Sequence, residues 1–358
     1  MRKFKRAAIT VGMAGAMMTS LVGCSMTAKP SAALHHTEIR SQQQITLTKT
    51  VKKTAKRALA PVYLMELVPS HQSVTTGTAV NLKKDVYYTD RVVVVSFHDM
   101  SLHLNSKFNM SPTTFAADLQ ALHQYHFNVI SNQQFTGWLQ HRNTVPPNAV
   151  LLTFDDGYRS MYTHAFPILM KYHMPGTFFI ITHSQDINFP GFMTWPEVQA
   201  IAKAGMAIES HTYDLHYLVN VNGKLIPAFD TAYYNGKWQT PKQYFLRDYR
   251  DFLTARLQIQ QHLKRPVNEI AWPYGYGNLT AYEAARAAGY RYFYTTASGA
   301  DYQSTSSWYI DRIDVGLYSN TAQVINKILS TARSPAELVP VKPSLVPAKP
   351  SQTDIHAT

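Results

Sequence analysis

Five side chains in this sequence combine residue types and spacings that can do chemistry. Asp155 and Asp156 stand side by side ahead of Gly157, directly after the apolar run 151–154. Adjacent carboxylates repel each other and are costly to desolvate together. A metal ion removes that difficulty for one and leaves the other free as a base, although an Asp-Asp-Gly surface turn accounts for the pair equally well. His211 and His216 form the second group. Two neutral imidazoles plus one carboxylate are a usual donor set for a divalent transition metal. The two are five apart, so they read as loop ligands after a strand rather than as neighbours on a helix. The chain has 15 histidines, so a strand-end His beside a surface His is an equally available reading. His98, next to Asp99, is the fifth side chain. It can act as a general acid once protonated, or sit partly buried and bonded to backbone.

The surrounding pattern shows how these residues are positioned. The β-branched run 92–97 and the run 149–154 read as buried strands, with further strands at 128–130, 177–181, 206–209, 269–272 and 292–295. Helices are expected at 112–125, 133–140, 161–172, 195–204, 241–263 and 280–288, the last closed by Gly289. Strands alternating with helices indicate a parallel sheet, open or closed into a barrel. Every reactive-looking residue follows a strand, and in a parallel barrel those strand ends share one face. Residues 219–236 break the rhythm with two Asn-Gly pairs, Pro227 and several aromatics, and read as an insertion rather than a scaffold element.

Composition narrows the class. At 358 residues and 45% hydrophobic content the chain can bury a large core. No internal apolar run reaches the ~18 residues of a spanning helix, which excludes a polytopic membrane protein. The net charge of +12 is concentrated at the start: residues 1–60 hold 11 Lys/Arg and one acid. The remainder is nearly neutral, so a nucleic-acid-binding core is not supported.

The lone Cys24 follows Arg2, Lys3, Lys5 and Arg6 and a small, apolar stretch, the order of a secretory signal. Its Leu21-Val22-Gly23-Cys24 end resembles a bacterial lipobox, which implies lipidation at Cys24 and anchoring at the outer face of a bacterial cell membrane. The expected organisation is a signal at 1–24, a basic tether and lead-in at 25–87, a catalytic domain at 88–333 and a disordered Pro/Lys-rich tail at 334–358.

Three segments carry a resemblance to a known family. Thr153-Phe154-Asp155-Asp156-Gly157, His211-Thr212-Tyr213-Asp214-Leu215-His216 and Trp272-Pro273-Tyr274-Gly275 resemble the first three motifs of the NodB-homology polysaccharide deacetylases, carbohydrate esterase family 4. The likeness covers about residues 88–333. The usual second motif has its histidines four apart, the usual third motif begins with Arg where Ala271-Trp272 stands here, and no His lies between His262 and His356 to serve as the usual late acid. Phe97-His98-Asp99 instead resembles the biofilm poly-β-1,6-N-acetylglucosamine deacetylases, in which an early His takes that role.

The resemblance implies an α/β fold, a deformed (β/α) barrel of about seven parallel strands with the active site at their C-terminal ends. It implies Asp156, His211 and His216 as ligands of a divalent metal, zinc first, with nickel, cobalt or iron as alternatives. It further implies Asp155 as base, His98 as acid, an oxyanion-binding backbone N–H near Tyr274, and Trp272, Tyr274 and Tyr158 as substrate contacts. The expected reaction is removal of N-acetyl groups from an extracellular N-acetylglucosamine polymer by a monomeric enzyme. Alternatives are a peptidoglycan or chitin-oligomer deacetylase, a non-haem iron oxygenase, and a non-catalytic carbohydrate-binding lipoprotein.

Overall fold

Seven consecutive residues, Arg91–Phe97, are all buried, which requires a strand covered on both faces. This is β1 of the computed structural model, which describes residues 85–102, 106–316 and 319–333. Cys24, the basic stretch 25–60 and the tail 334–358 lie outside the described residues. In chain order there follow α1 (Pro112–Gln124), β2 (Asn128–Val129), α2 (Asn132–Leu139), β3 (Ala149–Phe154), a π-helical turn Met161–Ala165 running into α3 (Phe166–Lys171), β4 (Thr177–Ile181), α4 (Thr182–Asp186), α5 (Trp195–Lys203) and β5 (Ala207–Thr212). Four short strands come next, β6 (Leu218–Val221), β7 (Lys224–Pro227), β8 (Tyr233–Tyr234) and β9 (Lys237–Trp238). The chain then forms α6 (Pro241–Leu263), β10 (Glu269–Ala271), α7 (Leu279–Ala288), β11 (Tyr292–Tyr294), β12 (Asp301–Tyr302), β13 (Ile313–Asp314) and α8 (Thr321–Ala332).

The main sheet runs β11-β10-β5-β4-β3-β1-β12, with β2 added on β3 and β13 on β1. Every pairing is parallel except β1 with β12. The far edge bends back: Tyr294 bridges Ile310 in parallel, and Ile313 pairs with Val95. Segment 307–314 thus spans the gap and curls the sheet into a deformed barrel.

Side chains alternate across the sheet with a period of two. Val93, Val95, Val150, Leu152, Phe154, Phe178 and Ile270 face the helices in the larger core. Val92, Val94, Ala149, Leu151, Phe179, Ala271 and Tyr294 fill the barrel. Glu269 lies low inside it, held by Tyr294 Oη at 2.7 Å and Asn132 Nδ2 at 2.7 Å. A buried carboxyl in such a network is structural, not reactive.

The insertion is scaffolded after all. Its two Asn-Gly pairs are hairpin turns, with φ of 52° and 84° at Asn222-Gly223 and 48° and 77° at Asn235-Gly236. Those left-handed pairs suit the tight turns joining β6 to β7 and β8 to β9. Arg247 on α6 pins the insertion down, donating to the carbonyls of Ala228 at 2.8 Å and Thr231 at 3.0 Å.

Candidate active site

The candidate groups meet at the C-terminal strand ends. β3 ends at Phe154, and Asp155 follows with its N–H bonded to the Phe97 carbonyl at 2.9 Å. Asp156 has φ 76° and Gly157 φ 85°, so the chain reverses immediately and aims the two carboxylates differently. β5 reaches further than the sequence indicated and takes in His211, correcting its reading as a loop residue. The pairing with β4 shifts there, Ile180 with Ser210 but Ile181 with Thr212. His211 is the extra residue of a bulge, a device that re-aims side chains beside functional sites. His216 lies in the following loop.

Asp156 Oδ1 faces both imidazoles, 3.3 Å from His211 Nε2 and 3.1 Å from His216 Nε2. One ligand atom from each residue lies within 4.8 Å of the others. The His211 Nδ1 meets the Ala271 carbonyl at 2.7 Å. That contact places the proton on Nδ1 and leaves the Nε2 lone pair toward Asp156, the usual outer contact of a metal-ligating histidine. Burial pushes the His211 pKa down and favours the neutral ring. For His216 the Asp156 carboxylate outweighs burial and raises the pKa. Burial opposes ionisation of Asp156, yet the two imidazoles hold it well below the ordinary carboxylate range. Asp156 Oδ1 is buried and accepts no well-formed hydrogen bond. A buried anion ringed by two imidazole nitrogens and short of hydrogen bonds is the environment a divalent cation satisfies. The donor set fits.

Sequence reasoning missed Arg312. This residue is fully buried, and its guanidinium grips Asp155 with both arms, Nη1 to Oδ1 at 2.8 Å and Nη2 to Oδ2 at 2.7 Å. Its Nε donates to the Thr295 carbonyl at 2.7 Å. Burial would raise the Asp155 pKa; the guanidinium outweighs it and keeps the carboxylate ionised below its usual range. Arg312 lies on the segment that closes the barrel. A charge therefore reaches the site where the third motif carries Ala271-Trp272 instead of the expected Arg. No local sequence signal marks it.

His98 sits at the end of β1, close enough to Asp155 to influence its ionisation. Its Nδ1 is buried without a hydrogen-bond partner, and its ring lies 5.0 Å from that of Phe108. Asp99 is occupied elsewhere, accepting from Ser160 Oγ at 2.6 Å and Asn109 Nδ2 at 2.8 Å.

The expected aromatic contacts divide. Tyr274 is 43% exposed, its ring 5.0 Å from that of His216. Tyr158 is half-buried against Phe192, and burial beside Asp156 and Asp99 raises its hydroxyl pKa, so it stays protonated. Trp272 corrects the expectation: at 1% exposure it offers no face to a sugar. It packs among Phe229, Phe252, Tyr282 and Phe293, because the ring after β10 turns into the helix-covered core.

Residues 142–293 of the chain match the family model of polysaccharide deacetylase. More particularly, the chain is similar to poly-beta-1,6-N-acetyl-D-glucosamine N-deacetylases. The match to that of Escherichia coli strain K12 is 28% identical over 234 residues, 58% of this chain and 34% of the relative. That to Staphylococcus aureus strain MSSA476 is 26% identical over 211 residues, 58% of this chain and 67% of the relative. The chain therefore matches about a third of the Escherichia coli relative's length. Among solved structures, the de-N-acetylase from Aggregatibacter actinomycetemcomitans superposes with a TM-score of 0.61 at 26% identity, covering 66% of this chain and all of that one. IcaB from Ammonifex degensii gives 0.56 at 26%, covering 67% and 97%.

Proposed function

We propose that this protein is a metal-dependent polysaccharide N-deacetylase acting on extracellular poly-β-1,6-N-acetylglucosamine. One observation carries the reading: Asp156, His211 and His216 converge on one point beside the ion-paired Asp155. The named activity of the relatives supports the choice of polymer.

A divalent ion held by Asp156, His211 and His216, zinc for preference, would supply Lewis-acid polarisation of the acetamide carbonyl and acidify water. Asp155 is the base. Arg312 occupies one lone-pair direction on each of its oxygens, and a carboxylate keeps further acceptor capacity for the proton of an attacking water. The water oxygen adds to the carbonyl carbon, and a backbone N–H near Tyr274 donates to the developing oxyanion. His98 donates a proton to the nitrogen as the C–N bond breaks. The products are acetate and a free glucosamine residue. Tyr274, beside His216, and Tyr158, near Asp156, are the side chains this reading assigns to contact with the sugar ring.

The test is acetate release by the purified protein from oligomers of β-1,6-N-acetylglucosamine, chitin and peptidoglycan, each with and without a chelator. Chelator-sensitive release from the β-1,6 oligomers supports the proposal. Release from the other glycans only would overturn the substrate and keep the chemistry. No release from any would turn the assignment toward a carbohydrate-binding protein. The same proposal places the enzyme at the outer face of a bacterial membrane through lipidated Cys24; Cys24→Ala should release it into the soluble fraction.

A further inference from the structure

The His211–His216 spacing raises a positioning problem. Four residues, 212–215, must fold so that both Nε2 atoms face the same carboxylate oxygen. Thr212 still pairs with Ile181 at the end of β5, but the irregular residues that follow have no ladder to hold them, and their backbone N–H groups need acceptors. The structure supplies one acceptor for several of them. Asp251 on α6, a carboxylate 8% exposed, takes the Tyr213 N–H on Oδ1 at 2.9 Å and the Asp214 N–H on Oδ2 at 2.8 Å. The Leu215 N–H adds a third contact. α4 holds the other side of the loop: the His183 N–H donates to the Tyr213 carbonyl at 3.0 Å, and His183 Nδ1 meets Asp214 Oδ1 at 2.8 Å.

We propose that Asp251 is a positioning residue of the metal centre. It gathers the amides of the His211–His216 loop and so sets His216 against Asp156. It touches neither ligand, and it acts through the backbone between them. Its place on a 23-residue helix makes it a rigid post, which lets the motif accommodate a loop one residue longer than its usual form. The inference rests on the metal-site reading of Asp156, His211 and His216.

Outer groups that orient metal ligands change affinity by roughly 10–100-fold when removed. The experiment uses the full chain stripped of metal, titrated with Zn(II) and Co(II) against a chromophoric chelator. The visible spectrum of the Co(II) form and the thermal midpoint of the metal-free protein are recorded alongside. Asp251→Ala is expected to weaken both metals by 10–100-fold and to alter the Co(II) spectrum. Asp251→Asn keeps the shape and one acceptor oxygen, so it should lose less affinity and provides the reading should Asp251→Ala not fold. Wild-type protein that binds neither metal overturns the metal-site reading itself. Wild-type binding with both variants within twofold of it overturns the role of Asp251 alone. Equal losses of affinity in the two variants, tracking equal losses of metal-free stability, would assign Asp251 to the fold and also overturn the proposal.

Discussion

Arg312→Met removes the guanidinium contacts to Asp155 while keeping much of the side-chain volume. The wild-type guanidinium makes two short bonds to Asp155 and one to the Thr295 carbonyl, and both charged groups are buried. Deleting one partner of a buried pair costs about 3–5 kcal/mol, because the other charge is left unpaired. Domains of this kind have about 5–15 kcal/mol to lose, so the variant should fold with a much lower urea midpoint. The pH dependence should reverse for this group. In the wild type the Asp155 pKa lies below its ordinary value, so its contribution is present above the unfolded pKa and lost as pH falls through the folded one. Without Arg312, burial dominates and raises that pKa. The stability deficit should then shrink in acid, and the acid limb of kcat/KM should move to higher pH. Urea unfolding at pH 5 and pH 8, with kcat/KM across pH at saturating metal, measures both effects. Adding Asp155→Asn completes a double-mutant cycle and should recover most of the lost stability. Arg312→Lys keeps the charge without the planar fork and should fall between. A loss under about 1 kcal/mol, with an unmoved acid limb, would refute the account of how Asp155 is kept ionised.

Other consequences follow from single residues. Asp118 on α1 is fully buried and its pKa is pushed up to about 7 by burial, with Thr321 pulling weakly the other way. The native state therefore holds a proton that the unfolded chain releases, and stability should fall as pH rises from about 4 to 7. Asp118→Asn should flatten that slope and raise stability at pH 8 by up to about 4 kcal/mol, at ~1.4 kcal/mol per pH unit, measured by urea unfolding. Gly275 has φ 103°, and a Cβ there would overlap Thr296 Oγ1. Gly275→Ala should lower the thermal midpoint and kcat together, with partial recovery on adding Thr296→Gly. His98→Gln should reduce kcat by about 10²–10⁴-fold and leave Zn(II) affinity unchanged; an unaltered kcat would remove His98 from the chemistry.

Local signals account for much of the fold. The β-branched run at β1 and the bounds of β3, β4 and α6 were readable, because a strand buried on both faces and a capped helix each write their pattern into neighbouring residues. α8 was equally readable and was passed over: Asn320 and Gln323 form a capping box, and Val324, Ile325, Ile328 and Leu329 make one buried stripe. Asp251 also left a trace, as one of two acids with Asp248 among the buried residues of α6. An acid on the buried face of a helix requires a partner, although the helix does not say which.

The sequence by itself determined the donor chemistry, Asp155-Asp156 with His211 and His216, and the strand ends that bear it, because residue type and period-two alternation are properties of the chain. The tertiary structure alone decided three things. Arg312 arrives at Asp155 from 157 residues away, on the segment that closes the barrel. Trp272 turns into the core rather than the cleft, since the neighbouring aromatics come from α6, α7 and β11 and from the insertion. The His211–His216 loop takes its shape from an acceptor on α6. Each is a contact between distant segments, and such pairings are set by the folded arrangement, not by the residues on either side.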